Sequence, residues 1–213
     1  MNKKDFIKEQ YSKFSRTEGS QFITSEYALG EILNFINKFK PENILEVGVG
    51  IGTISDSIIK AYKNEYGPKV YGTENNEFCL SKLPENLGKD YSFLKLFPSI
   101  QNLPRDIEFD LIIIDGKESN LKSIKHIMND HCIILVEGDR KEQTEICQNL
   151  FPSSKFVHLI TSKKNSYYSN RAKEHYQGGI KVIFTDPHFT HFLEWFKLKL
   201  TSKFHFQIRK FSR

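Results

Sequence analysis

The chain has 213 residues, with 31 Lys and Arg against 26 Asp and Glu, a formal net charge of +5, 38% hydrophobic and 13% aromatic residues. That length suits one α/β domain, and the apolar content fills a core, which excludes global disorder and collagen-like or low-complexity chains. From Trp195 onward there are six basic residues, Lys197, Lys199, Lys203, Arg209, Lys210 and Arg213, and no acid, so the excess charge belongs to the C-terminus and the remainder is near neutral.

In chain order, Phe6, Ile7, Tyr11 and Phe14 predict a short amphipathic helix, and Ala28, Ile32, Phe35, Ile36 and Phe39 a second one, with Thr24 or Ser25 as N-cap and Pro41 past its end. Strands are then predicted at 43–47, 69–73, 91–96, 109–114, 132–137, 155–160 and 179–185. Helices are expected at 53–62, 77–83, 120–128, 141–150 and 188–200. This alternation predicts an α/β fold: a Rossmann-like, doubly wound, mostly parallel seven-stranded sheet with helices on both faces. The expected organisation is a domain over 1–200 (N-terminal helical segment 1–40, core 41–187) and a basic tail over 201–213.

The longest aliphatic runs, Leu111–Ile114 and Ile133–Val136, are far short of the roughly 20 apolar residues of a membrane span. Charges break up the N-terminal apolar runs, which argues against a secretory signal and for a cytosolic location. Cys79, Cys132 and Cys147 match no zinc or redox spacing and read as reduced thiols.

The strongest local signal is Ile44-Leu45-Glu46-Val47-Gly48-Val49-Gly50-Ile51-Gly52-Thr53, a buried strand entering a glycine turn and then a helix. Such a turn brings backbone close to a ligand, and the helix start offers unpaired N–H groups. The dinucleotide pattern needs glycine where Thr53 or Ser55 stands, and the phosphate-loop pattern needs a Lys that does not follow Gly52, so both are disfavoured. An acidic residue, Glu74, follows the next strand at the spacing where a carboxylate meets ribose hydroxyls. Phe109-Asp110-Leu111-Ile112-Ile113-Ile114-Asp115-Gly116-Lys117 then places Asp115 at the carboxyl end of a central strand.

Glu46, Gly48, Gly50 and Gly52 resemble the first motif of class I S-adenosylmethionine-dependent methyltransferases. The segment ending in Asp115 is similar to the fourth-strand motif of small O-methyltransferases of the catechol or caffeoyl-CoA type, and the matches run in order from about Gln21 to Asp139. The resemblance implies a cofactor site of Glu46, Gly48, Gly50, Gly52, Thr53, Glu74, Asn75, Ser99, Asp115 and Gly116, with Glu46 near the methionine end of S-adenosylmethionine. In metal-dependent relatives an Asp-Asn pair ends the fifth strand. Here Glu137-Gly138-Asp139-Arg140 stands there, so a magnesium ion on Asp115, Glu137 and Asp139 is an option to which the reading is not committed. The Asn/Asp-Pro-Pro-Tyr motif of base and glutamine N-methyltransferases is absent, since the fourth strand continues Asp115-Gly116-Lys117-Glu118.

Methyl transfer to a hydroxyl requires in-line positioning and removal of a proton. Asp115 and His175 are the catalytic candidates. Lys117, Tyr168, Arg171 and His175 are the candidates for holding an anionic small-molecule acceptor, the last three from the long polar segment 161–177. An RNA-directed methyltransferase of the same fold, or a non-catalytic cofactor-binding or membrane-associated accessory protein, are the rival readings. The tail, with Phe204, Phe206 and Ile208 alternating among bases, is expected to pack on the core or form a homodimer, with contact to an anionic surface as the alternative.

Overall fold

The computed structural model describes residues 2–211. Helix α1 (Lys3–Ser15) starts at Asn2, whose side chain accepts from the Lys4 N–H, and α2 (Glu26–Phe39) starts at Ser25, whose Oγ accepts from the Ala28 N–H. Lys40, left-handed at φ 48°, ends α2. The sheet comprises β1 (Asn43–Val47), β2 (Lys69–Thr73), β3 (Leu94–Phe97), β4 (Phe109–Ile114), β5 (Met128–Glu137), β6 (Lys155–Leu159) and β7 (Ile180–Phe184). Among them run α3 (Thr53–Tyr62), α4 (Glu77–Leu87) and α5 (Lys141–Leu150), and α6 (Phe189–Phe211) follows β7.

The strand order is β3-β2-β1-β4-β5-β7-β6. Pairings from β3 through β5 are parallel, whereas β7 runs antiparallel to both β5 and β6, so the sheet is mixed. Strand order reverses between β1 and β4, and open α/β sheets form a ligand crevice at the carboxyl ends of such a pair.

The central strands are buried on both faces, which is why they read as unbroken aliphatic runs. Leu111, Ile113, Ile133 and Leu135 face a core shared with Phe14, Leu29, Ile32 and Ile58 from α1, α2 and α3. Ile112, Ile114, Ile134 and Val136 face a second core with Leu121, Ile124 and Cys147. All three cysteines are free, two of them buried.

The structure corrects three expectations. Residues Gly88–Phe93 form a 3-10 turn, so the third strand begins at Leu94 rather than 91. The helix expected over 120–128 is a single 3-10 stretch, Leu121–His126, because β5 extends back to Met128 beyond a register break opposite Phe109–Leu111. The helix expected to stop at 200 continues to Phe211; no Gly or Pro interrupts it, and the alternation of Phe204, Phe206 and Ile208 marks different sides of a helix rather than an extended tail. Ser212 and Arg213, the end of that tail, lie outside the described residues.

Candidate functional site

The turn after β1 is tied to both neighbouring strands. Gly48 and Val49 donate their N–H groups to the Thr73 carbonyl at the end of β2, and the Asp115 N–H donates to the Val47 carbonyl. At Gly48, φ is 85° and a Cβ would stand 2.3 Å from the Gly116 Cα. The two backbones therefore touch, which carries Asp115 and Gly116 to the rim of the glycine turn. Gly52 answers to a different neighbour, since a Cβ there would meet Leu87 and Leu83 of α4 at 2.5 and 2.9 Å. A Cβ on Gly50 would meet nothing within 4 Å, because that glycine faces a cleft of about 620 Å³.

Glu46, Gly48, Gly50, Thr53, Glu74, Asp115, Gly116 and Lys117 line this cleft, as does Arg140. On the remaining side the wall is residues 21–23 together with Phe78 and Cys79. The Glu74 carboxylate accepts from the N–H groups of Gly50 (2.7 Å), Asn75 (2.9 Å) and Asn76 (2.8 Å), which ties the end of β2 to the glycine turn.

Three lining residues carry a buried side-chain atom without a partner in the structure: Glu46 Oε1, Thr53 Oγ1 and Arg140 Nε. Buried polar atoms are normally paired, and an exception calls for a physical reason. The other Glu46 oxygen accepts from the Ser55 hydroxyl. Burial, with the Glu74 charge adding to it and Ser55 opposing, pushes the Glu46 carboxyl up to about 8. An acceptor carboxylate, a hydroxyl and a guanidinium N–H within one cleft are complementary to a zwitterion bearing an ammonium and a carboxylate.

Arg140, which sequence reasoning passed over, donates to both the carboxylate and the carbonyl of Asp115, the former at 2.9 Å. Burial and the adjacent Glu137 carboxylate push Asp115 well above the usual carboxylate range, against the pull of Arg140. The trio considered for magnesium is not assembled. Asp139 is exposed, Glu137 is buried and accepts from the Thr24 hydroxyl, and no group of three or more ligating side chains forms among the described residues.

Other expected site residues lie elsewhere. Ser99 donates to the Asn102 side chain, and neither it nor Asn75 lines the cleft, whereas Asn76 does. His175 is exposed and away from the cleft, its carbonyl accepting from the Asn165 N–H. Segment 161–177 packs behind the cleft wall instead of over the opening. There, the Tyr168 hydroxyl donates to Glu26 (2.8 Å), Arg171 donates to the Ile23 carbonyl (2.8 Å), and Asn170 donates to the Ser20 carbonyl. Tyr168 and Arg171 thus brace residues 20–26 and do not line the cleft.

No protein-family model matches the chain. It is similar to the ribosomal RNA small subunit methyltransferase A of Clostridium botulinum, with 28% identity over 131 residues, covering 61% of this chain and 42% of that protein. The chain spans less than half the length of the curated relatives it matches. Among solved structures it resembles an O-methyltransferase from Bacillus cereus in complex with S-adenosylhomocysteine (14% identity, 84% of this chain and 90% of that one, TM-score 0.59). It also resembles the O-methyltransferase TomG from Streptomyces achromogenes, which is involved in tomaymycin synthesis and was solved with S-adenosylmethionine (9% identity, 86% and 90%, TM-score 0.60). The fold is therefore the Rossmann-like α/β fold found in those methyltransferases.

Proposed function

We propose that the chain is an S-adenosylmethionine-dependent methyltransferase acting on an oxygen of a small molecule. The observation that carries this reading is the set of unpaired polar atoms in the cleft, Glu46 Oε1, Thr53 Oγ1 and Arg140 Nε, beneath a turn whose Gly50 leaves the space open. The methionine portion of the cofactor is a zwitterion with the matching groups, and when bound its sulfonium supplies the activated methyl. Glu46 is positioned for the ammonium, and Thr53 and Arg140 for the carboxylate. Glu74, at the end of β2, is positioned for the ribose hydroxyls.

Asp115, in its ionised form beside Arg140, is the group on this rim suited to receive the proton of an acceptor hydroxyl. Lys117, exposed on the lip of the cleft, adds a positive charge for an anionic acceptor. Residues 20–26, braced by Tyr168 and Arg171, fix the wall against which an acceptor would rest.

Label from methyl-labelled S-adenosylmethionine is expected in the small-molecule fraction of a cell extract and to be lost with Asp115→Asn. Because Asp115 must be ionised, initial rates should rise with pH through its titration. The similarity to ribosomal RNA methyltransferases supports the RNA reading. Label recovered in RNA, with none in small molecules, would decide for that reading and against this one.

A further inference from the structure

The last helix presents an apolar row to solvent. Phe189, Leu193, Phe196, Leu200, Phe204 and Phe211 follow spacings of three, four or seven residues along α6, and each is between 51% and 86% exposed. At 100° per residue they fall within one narrow stripe. The opposite side of the helix is buried through His191, Glu194 and Leu198. That side is also pinned to β6 and the segment after it, where Trp195 donates to the Phe156 carbonyl (2.8 Å), Ser202 to the His158 carbonyl (2.5 Å) and Arg209 to the Thr161 carbonyl (2.6 Å). The stripe is thus held outward along a helix of 23 residues, about 34 Å. An apolar surface of this extent facing solvent is a mark of an interaction site.

Charge selects the occupant. Lys197 flanks the stripe on one side, and Lys199, Lys203 and Lys210 flank it on the other, where they also border a groove of about 640 Å³ floored by Phe156 and Phe206. No acid occurs from Trp195 onward, and Glu194, the one acid of α6, is buried against Lys38. A second copy packed helix to helix would set lysine against lysine with no countercharge. Nucleic acid would call for cations along the centre of the surface, where this helix has Phe and Leu. An apolar centre with lysines on its flanks suits an anionic bilayer, in which the rings enter the interface and the long lysine stems reach the headgroups. Among the described residues no helix is long and apolar enough to cross a membrane, so the helix would lie along the surface.

We infer that α6 is an interfacial helix by which the protein docks on anionic lipid membranes. The β6 edge that carries α6 is separated from β1 and β4 by β5 and β7, so docking leaves the cleft accessible.

The test is co-sedimentation of the full chain with vesicles of phosphatidylcholine alone and of phosphatidylcholine mixed with phosphatidylglycerol. Binding to the anionic vesicles is expected to be stronger by at least about tenfold and to weaken with added salt, as four flanking lysines require. The double variant Phe196→Glu, Leu200→Glu is expected to lose that binding by at least about tenfold with an unchanged thermal midpoint, since both side chains are exposed. Lys199→Glu with Lys203→Glu should lower anionic-vesicle binding independently. Equal sedimentation with and without phosphatidylglycerol, or none, would overturn the inference. So would a dimer in velocity sedimentation that Phe196→Glu dissolves, or binding to an RNA homopolymer in place of vesicles.

Discussion

Glu46→Gln is expected to weaken S-adenosylmethionine binding between about tenfold and a hundredfold while making the protein more stable at alkaline pH. The affinity loss follows from exchanging a carboxylate for a neutral amide opposite an ammonium, where a charge-assisted hydrogen bond is worth about 1.5–3 kcal/mol. The gain in stability follows from burial. The Glu46 carboxyl is raised from 4.5 to about 8, so the folded chain holds a proton that the unfolded chain has released. The stability linked to this proton is complete below about 4.5, falls as pH rises from there, and is fully lost once pH has passed about 8. The penalty above that point is on the order of 5 kcal/mol. The glutamine amide of the variant does not titrate, so thermal midpoints of the two proteins should converge below about pH 4.5, separate progressively between there and about pH 8 in favour of the variant, and stay apart by a constant amount above it. A variant that lost stability at high pH would show that the buried carboxylate is structural. A further consequence concerns the intact protein. An ammonium beside Glu46 lowers its carboxyl again, so binding near pH 7 should release a proton, visible as a dependence of the binding heat on buffer.

Gly48→Ala is expected to cost more than about 4 kcal/mol, enough to prevent stable folding of the core. The added Cβ would lie 2.3 Å from Gly116 Cα and 2.5 Å from Gly116 N, both backbone atoms, at a residue whose φ is 85°. Neither side can yield without displacing β4 from β1, whose pairing runs from Ile44 opposite Leu111 to Val47 opposite Ile114. Gly50→Ala, at φ 57° with open space in front of it, should cost only about 1–2 kcal/mol of backbone strain. Urea denaturation of the pair measures the difference, and equal midpoints for the two variants would refute the contact with Gly116.

Much of the sheet was legible because its strands obey a single local rule. Residues Ile112–Ile114 and Ile133–Val136 are buried on both faces, so hydrophobicity alone marks them. The glycine turn was legible for a similar reason, since only close approach or an open cleft justifies Gly48, Gly50 and Gly52 together. What local pattern does not carry is the meeting of distant side chains. Arg140 reaches Asp115 because β4 and β5 are neighbours, and their 25-residue separation gives no hint of it. The opposite failure occurs at His175, Tyr168 and Arg171. Their residue types suit a site, but the path of segment 161–177 takes them to an exposed loop and to the back of the cleft wall. In α6, alternation over only three aromatic and aliphatic residues was too short to distinguish an extended segment from the far side of a helix.

Binding of S-adenosylmethionine in the cleft beneath the glycine turn is open to direct measurement. Calorimetric titration of the protein with S-adenosylmethionine and its demethylated product, alongside Gly50→Arg, tests it most directly. The arginine side chain would extend from a position with nothing within 4 Å into the cleft, so the fold should persist while the space is filled. Saturable binding at one site is expected in the parent protein and none in a folded Gly50→Arg. Absence of binding in the parent, or equal binding in both, would contradict that expectation.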